Sequence, residues 1–123
     1  VLVPLLFLGG CMLGASKSSY APAKGPAGAM VSLDLGGDRR FEGELLAVEH
    51  TTLLVLQAQQ PVRIALPLIR SGKAPKVSFT GRSLTGDVRE RLRLISRFPQ
   101  GVSPELEARL LQAYGARSVR EVS

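Results

Sequence analysis

Few residues in this chain carry reactive side chains, and each suggests a definite chemistry. Cys11 is the only cysteine and His50 the only histidine among 123 residues. One cysteine excludes an intramolecular disulfide, and one cysteine with one histidine leaves too few ligands for a zinc centre built by this chain alone. A Ser–His or Cys–His engine would have His50 as its sole base. That residue lies in the polar stretch Glu49-His50-Thr51-Thr52, which reads as a solvated turn. Glu42 and Glu44 stand two apart on a strand and so project to one face; paired carboxylates suit acid–base work. Phe41 and Leu45 take the opposite face, so both glutamates are expected to face water. Gly36-Gly37 lacks the spacing and the following Lys-Ser/Thr of a phosphate-binding loop. Arg89, Arg93 and Arg97 recur at four-residue steps, which makes a basic stripe on a helix. No enzyme, metal or cofactor is expected from this set.

The lone cysteine is explained by what surrounds it. Residues 1–8, Val-Leu-Val-Pro-Leu-Leu-Phe-Leu, form an uncharged apolar run, and Gly9, Gly10 and Cys11 follow. An apolar run ending in small residues is the pattern of a secretory leader. The tetrad Leu8-Gly9-Gly10-Cys11 resembles the lipobox of bacterial lipoproteins. The resemblance implies that Cys11 carries a diacylglyceryl group and becomes the first residue of the mature protein. Several acyl chains together hold a protein stably at a membrane, since each buried methylene contributes about 0.8 kcal/mol. With no Met and no basic residue ahead of the apolar run, residues 1–10 read as a leader truncated at its front. Residues 11–29 read as a flexible tether, because Gly, Pro, Ala and Ser dominate from Gly14 to Gly28. Met12, where such lipoproteins carry an Asp for inner-membrane retention, leans toward the outer membrane if the organism has one.

From Met30 the pattern becomes that of strands. Val31, Leu33 and Leu35 alternate with Ser32 and Asp34, and Gly36-Gly37-Asp38 reads as a tight turn. Phe41–Val48 begins as an alternating strand and turns continuously apolar after Glu44, with Gly43 marking a bend or bulge. Leu53–Leu56 and Val62–Leu68 read as two more strands, and a last one is expected between Gly72 and Phe79. With aromatics at 5% and no Trp, the core must be aliphatic. Five short strands with tight turns suggest a small barrel or sandwich. The strand Phe41-Glu42-Gly43-Glu44-Leu45-Leu46 and the segment Val62–Arg70 resemble SH3-like and Sm-like barrels, over residues 30–79.

Beyond the barrel, residues 80–115 read as a helical hairpin packed on it, and 116–123 as a frayed tail. Asp87 and Glu90 suit a capping box for the first helix. Ser103-Pro104 suits the start of the second and Gly115 its end. The fold class expected is thus mainly β with α: a five-stranded SH3-like or Sm-like barrel followed by a C-terminal helical hairpin.

The formal net charge is +6, and residues 73–97 hold +5 of it. Such a segment favours anionic partners. The reading that follows is a non-enzymatic envelope lipoprotein, anchored in a membrane through Cys11, with a binding or structural role. Its Arg89, Arg93 and Arg97 would meet an anionic lipid surface or an envelope protein. The alternative is a soluble basic Sm-like module that binds RNA or an acidic protein. Nucleic acid is disfavoured because only Phe79 and Phe98 stand near the stripe for base stacking.

Overall fold

The computed structural model describes residues 28–123. Seven strands are present in this part: β1 (Met30–Gly36), β2 (Arg39–Val48), β3 (Thr52–Gln57), β4 (Gln60–Ala65), β5 (Ser71–Ala74), β6 (Val77–Phe79) and β7 (Arg120–Val122). A 3-10 turn at Leu66–Leu68 follows β4, and two helices, α1 (Gly86–Leu94) and α2 (Pro104–Tyr114), precede β7. The strands form one sheet in the order β6-β5-β1-β2-β3-β4-β7. All neighbours are antiparallel except β4 and β7, which run parallel.

The expected closed barrel is therefore corrected to an open mixed α/β sheet. Pro67 stops β4 in the 3-10 turn, and the chain crosses to the free edge of β1, where Arg70 N–H donates to the Asp34 carbonyl (2.8 Å). Closure would require β4 to pair with the β5–β6 end. Instead the free edge of β4 is taken by β7, from the stretch expected to fray. The single strand expected between Gly72 and Phe79 is a hairpin, β5–β6, turned at Pro75-Lys76 with Lys76 at φ 66°.

The helical hairpin is also corrected, because the two helices lie on opposite faces of the sheet. Successive side chains of a strand point to opposite faces. Leu53 and Val55 join a core with Val31, Leu33, Leu45, Ile64, Phe79 and Leu92 of α1. Leu54 between them joins Leu46, Ala47, Phe98, and Leu106 and Leu110 of α2. The first face is the larger apolar surface and gathers residues from β1 through β6. The expected capping box is absent: the N-cap of α1 is Thr85, which makes no side-chain cap bond. The second helix starts as its sequence implies, with Ser103 Oγ accepting from Leu106 N–H at 3.1 Å and Pro104 in the first turn. Gly115 ends it in the left-handed region.

Two local features set the geometry that the rest builds on. In β2 the register against β3 slips between Leu45 and Ala47, leaving Leu46 as a bulge. The β3–β4 turn places Ala58 and Gln59 both at positive φ, 49° and 67°. Two-residue turns of that kind favour Asn-Gly, and a non-glycine residue in the left-handed region costs about 1–2 kcal/mol. Replacing Ala58-Gln59 by Asn-Gly is expected to raise stability by about 1 kcal/mol, read as an upward shift of the urea midpoint. An unchanged or lower midpoint would refute this account of the turn.

Candidate functional site

Cys11 lies outside the described residues. The three arginines of the expected stripe do lie on or just after α1, but each is engaged within the chain. Arg89 donates to the Glu49 carbonyl. Arg93 pairs with Glu90 (2.6 Å) and donates to the Pro99 carbonyl (2.8 Å). Arg97 sits past the end of the helix and turns inward, where it forms a forked pair with Glu44, one arm at 2.6 Å. It also donates to Tyr114 Oη (2.9 Å) and lies over the rings of Phe98 and Tyr114. The side chains of Arg97 and Glu44 retain only 7% and 11% of their exposure.

Glu42 and Glu44 share a face, as their spacing requires, but they differ in surroundings. Glu42 is exposed beside Ser32. Glu44 is buried because the connector Ile95–Phe98 and α2 cover that face over the second half of β2. The expectation that both carboxylates face water thus holds for Glu42 alone. His50 is exposed in its turn. Burial by itself would lower the affinity of Arg97 for its proton, but its hydrogen bonds to Glu44 and Tyr114 and the Glu44 charge hold it above the ordinary value.

A second arginine is equally committed. Arg63 of β4 donates to both oxygens of Glu49 (2.7 and 3.0 Å) and to Glu107 of α2 (2.8 Å). Glu121 of β7 approaches it at 4.0 Å. These contacts raise the Arg63 guanidinium above its ordinary value, the Glu49 hydrogen bonds most. Burial pushes the Glu49 carboxyl up, yet the hydrogen bonds from Arg63 and Thr52 and the Arg63 charge outweigh it and hold Glu49 below its ordinary value. Among the described residues no group of three or more His, Cys, Asp or Glu is arranged to hold a metal ion.

Two exposed arginines stand beside a cleft that the sequence did not reveal. Leu66, Pro67, Ile69, Arg70, Thr80, Gly81 and Arg82 line a mostly apolar cavity of about 660 Å³. Its walls are the 3-10 turn and the loop after β6. Gly81 N–H donates to the Ile69 carbonyl (2.9 Å). A Cβ on Gly81 would fall 1.9 Å from the Leu66 oxygen, so only glycine permits this closeness. The loop is held by mutual bonds: Thr80 N–H to Ser83 Oγ (2.8 Å) and Ser83 N–H to Thr80 Oγ1 (3.0 Å). The Arg70 side chain, guanidinium nitrogens included, lies against Gly36, whose missing Cβ leaves room for it. Arg70 and Arg82 are exposed and make no ion pair among the described residues. Residues 66–86 contain Arg70, Lys73, Lys76 and Arg82 and no acidic residue. Guanidinium groups match the oxygens of carboxylates and phosphates, so the cleft offers an anion-binding rim over an apolar floor. The absence of acids from 66 to 86 was the available signal for the cleft; helical spacing drew attention to arginines that are engaged within the chain.

No family model, curated protein or solved structure matches this chain.

Two outcomes follow from the committed charges. Glu44→Gln leaves Arg97 buried without its counter-charge and is expected to cost about 3–5 kcal/mol in urea unfolding; Glu44→Leu with Arg97→Met should recover most of it. A Glu44→Gln cost below about 1 kcal/mol, as for an exposed pair, would contradict the burial. Glu49 has a depressed folded pKa, so its stabilising contribution is complete above its ordinary value of 4.5 and is lost as pH falls through the folded value. The urea midpoint should therefore drop on acidification below about pH 4.5, and Arg63→Met should flatten that drop. An equally steep drop in Arg63→Met would refute the linkage.

Proposed function

We propose that this chain is a non-enzymatic binding module, held at a membrane of the cell envelope by lipid on Cys11, with the cleft between the 3-10 turn and the post-β6 loop as its ligand-binding part. One observation carries the binding half of this reading: two arginines that line the cleft have no partner among the described residues, unlike the four that are committed to the fold. Arg63, Arg89, Arg93 and Arg97 spend their charge on internal partners. Arg70 and Arg82 stand unpaired at the rim of an apolar cavity, in a stretch without acids. Buried or paired arginines hold a fold together, whereas exposed arginines lining one cleft present charge to something outside. No aromatic residue lines the cleft, which favours this reading over RNA binding, where bases stack on rings.

The membrane half rests on Leu8-Gly9-Gly10-Cys11 and on the Gly-, Pro- and Ser-rich run from Gly14 that separates the cysteine from the folded part. The outer membrane is the favoured location in an organism that has two membranes. Expression with a labelled fatty acid in a bacterial host, using a complete leader, tests it. The chain should take up label and enter the detergent phase, and Cys11→Ser should lose both. Unlabelled chain that stays with membranes through a high-salt wash, with or without Cys11, would contradict the anchor.

A further inference from the structure

We infer that the cleft is a headgroup site for an anionic phospholipid, through which the folded part grips a membrane independently of its lipid anchor. This rests on the reading of the cleft as the ligand-binding part and names its ligand. The chemistry of the lining selects the class. Arg70 and Arg82 require an anion, and a phosphodiester supplies one charge on two oxygens of the kind that guanidinium forks bind. Pro67 is the exposed apolar residue of the lining, with Leu66 and Ile69 buried behind it in the core, and it favours something apolar next to that anion. Inorganic phosphate leaves Pro67 uncovered, whereas the glycerol and first methylenes of a phospholipid offer it an apolar partner.

The surroundings agree with that choice. Lys73 and Lys76, exposed on the β5–β6 hairpin, add two positive charges to the segment that carries the site. A surface of anionic lipid attracts such a patch over about a Debye length, roughly 8–10 Å at ordinary salt. The site is also pre-formed: the Gly81–Ile69 backbone bond and the paired Thr80–Ser83 bonds fix the loop that carries Arg82. A fixed loop avoids part of the ordering cost of binding.

The test uses the full chain with Cys11→Ser, so that no acyl group contributes, and flotation with phosphatidylcholine vesicles made with or without phosphatidylglycerol. Binding should require phosphatidylglycerol. The added pair Arg70→Gln and Arg82→Gln should weaken it about thirtyfold, from about fivefold per basic residue at an anionic surface. Arg91→Gln with Arg117→Gln removes the same charge from exposed positions elsewhere and should weaken it much less. Thr80→Asp, at an exposed position of the lining, should abolish binding and keep the parent's far-ultraviolet circular dichroism. Equal weakening by the two arginine pairs, or equal binding to both vesicles, would overturn the site. Displacement by inorganic phosphate at concentrations too low to screen charge would overturn the lipid in favour of a soluble phosphorylated ligand. Acyl labelling of Cys11 is read separately, so loss of the headgroup site leaves the anchor standing, and the reverse.

Discussion

Strand β2 changes partners halfway along, and the rest of the structure depends on how that change is made. Its first half pairs with β1 and its second half with β3. Beyond Met30 the edge vacated by β1 is filled by other backbone. Leu45 N–H donates to the Ala29 carbonyl, while Arg97 and Phe98 N–H donate to the carbonyls of Leu45 and Leu46. Successive carbonyls in a regular strand point to opposite edges. The bulge at Leu46 turns two of them to the same side, and that is what docks the connector between α1 and α2. Gly28 completes the junction, its N–H donating to Glu44 Oε2 (2.6 Å), in a space where a Cβ would meet the Leu45 oxygen at 2.2 Å. With the connector fixed on that edge, α1 is delivered to one face of the sheet and α2 to the other. The forked Arg97–Glu44 pair lies inside this junction, bonded to Tyr114 at the far end of α2.

The same junction explains why the charge is distributed as it is. A connector that crosses a sheet edge buries whatever side chains it carries, and Arg97 is among them. A buried arginine is tolerated only with a bonded counter-charge, so Glu44 is drawn into the interior and neither residue remains for a ligand. Arg63 performs the comparable task at the other side, joining the β2–β3 turn, α2 and β7 through Glu49, Glu107 and Glu121. Arg70 and Arg82 are left without such partners on the segment that carries the chain from β4 through β5 and β6 to α1. The cleft is a by-product of opening the sheet: the crossing segment Leu66–Arg70 and the loop after Phe79 face one another without strand pairing.

Much of the strand pattern was legible because period-two alternation survives in β1 and the start of β2, and because Gly36-Gly37-Asp38 is a direct turn signal. All three residues do take positive φ. Helix α2 was legible from Ser103-Pro104 and Gly115, which act through local hydrogen bonds. The topology was not, since alternation states which face a residue takes and is silent on which strands meet at the edges. Short β7 carries no periodic signal and exists because β4 offers it an open edge. The arginine stripe misled for a related reason. Four-residue spacing holds only while the helix lasts; α1 ends at Leu94, so Arg97 leaves its face. Nor does spacing reveal that the outer face of β2 is open at Glu42 and roofed at Glu44.

The central claim is that the arginines form two sets, one consumed by the fold and one presented outward. Residue-resolved modification by an arginine-selective dicarbonyl reagent, followed by peptide mass spectrometry on the native full chain, measures this division directly. Arg70 and Arg82 should react at rates near those in the unfolded chain. Arg63 and Arg97, about 20% and 7% exposed and bonded to carboxylates, should react far more slowly until the fold is lost. Reaction of Arg97 as fast as Arg82 in the native chain, or protection of all four alike, would contradict the account.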